Sequence, residues 1–142
     1  MWFGAVINEL AAKAHVVQAN RDKPPPHSAR ALLDDTDITR WALNTGLARG
    51  EIYDRIAIWI ARGFHRSELS FEFCDRIVNS IHGVITLGNE DRPKLFWDVF
   101  LAFDSGEFYR TNDRTRDPVD EFTRPLISVA IETYALDYSD IP

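Results

Sequence analysis

Apolar residues recur at helical spacing along most of this chain. Phe3, Val6, Ile7, Leu10, Ala14 and Val17 follow the i, i+3, i+4, i+7 rhythm of one helical face, with Asn8, Glu9, Lys13 and Gln18 on the other side. The pattern predicts an amphipathic helix over about residues 3 to 20. It stops at Pro24, Pro25 and Pro26, which cannot continue a helix and favour an extended connection. Residues 1–22 are thus expected to form an N-terminal helical arm, 23–28 a proline-rich hinge and 29–142 a helical body. Such an arm can dock on its own body or on a neighbouring copy, so a homo-oligomer through residues 1–22 is one expectation.

In the body, Ser28 is placed to cap a short turn carrying Leu32 and Leu33. The cluster Asp34, Asp35, Thr36 and Asp37 offers oxygen acceptors and negative charge to a helix start. Ile38, Trp41, Ala42 and Leu47 give that helix an apolar face, stopped near Gly46 or Gly50. The pattern restarts with Ile52, Tyr53, Ile56, Ala57, Trp59 and Ile60 and runs to Gly63, expected as the C-terminal cap. A strand is the rival for residues 56–61, IAIWIA, but the flanking charges and the span favour helix. The cleanest stripe is Phe71, Cys74, Ile77, Val78, Ile81 and Ile85, begun by Ser67 or Ser70 and ended around Gly88.

Pro93 opens the next helix, where a first-turn position makes its missing N–H harmless, and Gly106 marks the stop. Phe96, Val99, Phe100 and Phe103 make one face while Trp97 and Leu101 lie off it, so this helix is apolar nearly all round and is expected at the centre. Asp117 and Pro118 signal another start, and Pro125 must kink or restart that helix before Leu126, Val129, Ala130 and Tyr134 carry it to about residue 136. The expected fold is all-α: a single-domain irregular bundle of five or six helices around the aromatic-rich helix 95–103, with the helix 70–86 as its main partner.

Composition narrows the function classes. A chain of 142 residues with 45% hydrophobic content suits one core. A net charge of -6 opposes non-specific binding to nucleic acid and to anionic lipid. The lone Cys74, set in an apolar helical pattern, is expected to be a small buried hydrophobe, which suits a reducing compartment. The first residues lack the basic and apolar regions of a signal peptide, and no apolar run approaches the roughly 20 residues of a spanning helix. A cytoplasmic location, with neither nucleic acid nor membrane as partner, is the expectation.

Candidate chemistry is sparse. Asp75, Asn79 and His82 stand four and three residues apart, along one side of a helix, where a carboxylate and an amide can orient a histidine base. Arg76, Ser80 and Gly83 share that flank, so a solvated helix face accounts for all of them more simply. Asp75 beside Cys74 raises a thiol pKa rather than lowering it, which argues against a thiolate nucleophile. The four histidines show no HExxH or CxxC spacing, the acidic cluster lacks a calcium-loop pattern, and no GxGxxG, GxxxxGK[ST] or GxSxG occurs. No cofactor and no metal are expected.

The polar segment 104–117, DSGEFYRTNDRTRD, presents Phe108, Tyr109, Arg110, Arg114 and Arg116 beside the aromatic helix. Tyrosine and arginine are enriched at binding hot spots because they combine broad contact with directional hydrogen bonds. A self-neutralised loop is the alternative, since Glu107, Asp113 and Asp117 interleave with the arginines and Phe108 can turn inward. The expectation is a non-enzymatic interaction or regulatory protein, of toxin-neutralising type, that binds another protein through this segment. A small enzyme with an acid–base site at Asp75, Asn79 and His82 is the alternative.

Overall fold

The computed structural model describes residues 3–19, 31–109, 116–134 and 137–142, and these build an all-α bundle. In chain order the helices are α1 (Gly4–Ala19), α2 (Asp35–Thr45), α3 (Arg49–His65), α4 (Phe71–Leu87), α5 (Lys94–Asp104) and α6 (Arg124–Tyr134), the last entered through a π-helical turn, Val119–Thr123. No strand occurs among the described residues, so IAIWIA is helical. The hinge 23–28, Ser28, Arg110 and Arg114 lie outside the described residues.

The N-terminal arm docks on its own body. Phe3, Val6, Leu10, Ala14 and Val17 are buried, as their spacing predicts. Glu9 accepts hydrogen bonds from the Trp41 indole and from Arg40 at 3.0 Å, Lys13 donates to the Leu32 carbonyl, and Gln18 accepts from the Ser70 amide at 3.0 Å. The acidic cluster acts as a cap: Asp34 accepts from the Asp37 amide at 3.0 Å and Asp37 accepts from the Asp34 amide at 3.1 Å, a reciprocal capping box. Gly46 ends α2 in the left-handed region at φ 74°, a conformation that glycine adopts without a Cβ penalty.

α3 and α5 share the centre. Every residue of α3 from Ile56 to Phe64 is buried, and α5 packs on α3, α4, α6 and the π-helical turn. The aromatic residues of α5 lock these contacts, with Phe103 5.3 Å from Phe64 and 5.9 Å from Phe71 between ring centroids. Periodicity names α4 as the main partner of α5; α3 packs against it just as closely, because α3 is apolar on nearly every side.

Two helix-end expectations are corrected. Gly63 is not a cap: α3 continues to His65, and the left-handed residue that follows is Ser67 at φ 61°. Gly63 instead marks a close approach, where Leu69 folds back over it and the Glu68 and Leu69 amides both donate to its carbonyl. Pro93 is the residue before α5, in extended conformation, rather than in the first turn. The break expected at Pro125 is met by the π-helical turn, in which the Arg124 amide reaches the Val119 carbonyl just before the proline.

Candidate functional site

The N-cap of α4 fixes what that helix presents. Ser70 accepts a hydrogen bond from the Phe73 amide at 3.1 Å, and from that register Cys74, Ile77, Val78 and Ile81 fall into the core while Asp75 and Asn79 fall on its flank. Cys74 is fully buried and its thiol faces the Ile60 carbonyl 3.7 Å away; burial, then the Asp75 charge, pushes its pKa up. It is a core residue.

The chain leaving α5 closes over this flank. Gly106 is buried, and a Cβ there would overlap the Thr123 hydroxyl and press on Phe71, so the backbone at this point is clamped between α4 and the π-helical turn. The next residue, Glu107, is thereby carried to Asp75 and Asn79. On the opposite side, Ser80 accepts from the Leu32 amide at 3.0 Å and donates to the Arg76 carbonyl at 2.7 Å, which brings residues 31–32 alongside. The result is a cleft of about 380 Å³ lined by Ala31, Asp75, Arg76, Asn79, Ser80 and Glu107.

Within it, the Asp75 and Glu107 side chains face each other closely enough for one carboxyl, when protonated, to donate to the other. The Asn79 side-chain amide donates to the Asp75 backbone carbonyl at 2.8 Å and to Glu107 Oε2 at 3.3 Å, tying Glu107 to α4. Asp75 Oδ1 is buried and no donor among the described residues reaches it. Burial first, then Glu107 and the charge of Asp104, pushes the Asp75 carboxyl up to about 8, against a smaller opposing effect of Asn79. The site thus favours the protonated form of the Asp75 carboxyl, which can donate a hydrogen bond.

The structure thus joins Asp75 and Asn79 as their spacing suggests, but Glu107 takes the place expected for His82. The His82 imidazole lies against α5, stacked on Phe100 at 4.7 Å and close to Trp97 at 5.8 Å, and Arg92 covers the Trp97 ring at 3.9 Å. Asp75 is partly buried, so this flank is not the solvated face that the polar pattern implies. In the sequence Glu107 reads only as a charge balancing the loop arginines; nothing in helical periodicity reports a chain that turns back over a helix two elements earlier.

Of the predicted contact residues, Phe108 and Tyr109 directly follow this cleft and are 56% and 37% exposed, so Phe108 does not turn into the core. Arg116 is exposed and stands 3.6 Å from Glu121. Among the described residues no group of three or more histidine, cysteine or acidic side chains is placed to hold a metal ion, and no helix is long and apolar enough to cross a membrane. The chain matches no protein-family model, no curated protein sequence and no solved structure.

Proposed function

We propose that this chain is a non-enzymatic interaction module, of regulatory or toxin-neutralising type, whose contact surface is centred on Phe108 and Tyr109. The observation that carries the reading is the exposure of these two consecutive aromatic side chains directly after the clamped backbone at Gly106. Exposed aromatic side chains give a partner large apolar contact. The net charge of -6 favours a positively charged protein partner and speeds its approach at low salt. The acid–base alternative relies on His82 as base; that imidazole faces Trp97 and Phe100 rather than Asp75, which weighs for the interaction reading.

A photoreactive phenylalanine analogue at position 109 tests this in the source cells. The expected result is one predominant polypeptide adduct, suppressed by excess wild-type chain but not by excess Phe108→Ala, Tyr109→Ala double variant. An equal adduct from the same analogue at Leu43, which is 81% exposed on α2, would contradict the assignment.

A further inference from the structure

We propose that the Asp75–Glu107 carboxyl pair is a pH-operated latch, holding Glu107 against α4 while a proton lies between the two carboxyls and releasing it, together with the start of the segment that follows, when that proton is lost. The inference concerns regulation of the surface proposed above and rests on that reading for its biological use, though not for its physics.

The geometry has three parts. Glu107 is the residue immediately before Phe108 and Tyr109, so its position sets where they begin. Gly106 packs so closely against Thr123 and Phe71 that not even a methyl group fits, and in the latch it serves as the pivot for the residues after it. Contacts between Glu107 and α4 include the carboxyl pair and the 3.3 Å hydrogen bond from Asn79.

The charges around the pair give the latch its direction. Asp75 faces Glu107 from the loop and Asp104 from the end of α5; on α4 it has Asn79 and the neighbouring Cys74, and Arg76 lines the same cleft. With the proton present, one carboxyl can donate to the other. Once it is lost, two carboxylates stand in contact with Asp104 nearby, and like charges in a half-buried site repel strongly. Glu107 is exposed and Asp75 is not, so Glu107 is the partner that leaves. The elevated Asp75 pKa, about 8, places the release on the alkaline side of neutrality.

The test is carboxyl ¹³C and backbone amide NMR on the isolated full chain between pH 5 and 10, with no partner present. The expected result is an Asp75 resonance titrating far above the ordinary aspartate range, with the amides of residues 106–109 moving at the same midpoint. In Glu107→Gln, whose amide donates to a charged Asp75, the Asp75 midpoint should fall by more than one pH unit and the loop amides should stop responding between pH 6 and 9. An Asp75 midpoint near 4, or loop amides indifferent to its titration, would overturn the latch. Either result leaves the partner surface to be judged separately, by crosslinking from position 109.

Discussion

Asp54 on α3 accepts a hydrogen bond from the Phe96 amide of α5 at 2.9 Å, so a neighbouring helix caps α5. The residue before α5, Pro93, has no side chain able to do so. Burial pushes the Asp54 carboxyl up to about 6, and the Phe96 bond opposes that rise only in part. The acceptor is therefore useful while the charge is costly. Asp54→Ala should destabilise the chain by about 1–2 kcal/mol through loss of the cap. Asp54→Asn keeps an acceptor oxygen, and in urea unfolding at pH 8 it should retain most or all of wild-type stability; equal losses in the two variants would show that the cap is not the Asp54 oxygen.

The pH dependence of stability follows from two raised carboxyls. Asp54 and Asp75 bind protons more tightly folded than unfolded, so the folded state holds the extra protons between an ordinary aspartate pKa near 4 and the folded values of about 6 and about 8. Their combined contribution is fully present below pH about 4 and declines as pH rises, first through the Asp54 window and then on towards pH 8. Denaturation midpoints across pH 4 to 9 should show this decline, with Asp75→Asn flattening the part above pH 6. A wild-type midpoint that climbs steadily from pH 5 to 8 would mean that neither carboxyl is perturbed as described.

Two glycines at close approaches should respond differently to alanine. At Gly63 the new methyl meets the Leu69 side chain, which can rotate away, and helix propensity returns part of the cost. Gly63→Ala should therefore cost about 1 kcal/mol or less. At Gly106 it meets the Thr123 hydroxyl, which is buried and bonded to the Ala102 carbonyl at 2.7 Å, so no easy escape exists. Gly106→Ala should cost about 2–3 kcal/mol and should be partly rescued by Thr123→Ala. Chemical denaturation of the two singles and the double measures this directly; a cheap Gly106→Ala would remove the pivot.

The arm offers a local test. Trp41 is buried and its indole N–H is accepted by Glu9, so Glu9→Ala leaves that donor unsatisfied at an expected cost of about 1–3 kcal/mol. Hydrogen exchange should then show faster opening of α1 while α3 keeps its protection. Uniformly faster exchange across the whole chain would mean that α1 opens only with global unfolding.

Helix number, the buried stripes and the aromatic centre were legible because each follows from spacing along one element. The capping role of Asp34 and Asp37 was legible for the same reason, as it needs residues three apart. What escaped is set between elements: Asp54 reaches α5 across 42 positions, and Glu107 reaches Asn79 across 28. Gly63 misled because a glycine at a plausible helix end and a glycine under a returning leucine look alike in sequence. The polar line Asp75, Asn79 and His82 was half informative, since a spacing of four puts two residues on one cleft but does not exclude a ring from stacking on the neighbouring helix.

The most direct test of the contact surface is native mass spectrometry of the chain purified gently from its source cells, run beside the Phe108→Ala, Tyr109→Ala double variant. A second polypeptide should add its mass to the wild-type chain, dissociate as salt is raised, and be absent from the double variant. The same added mass on both proteins would contradict the assignment of binding to Phe108 and Tyr109.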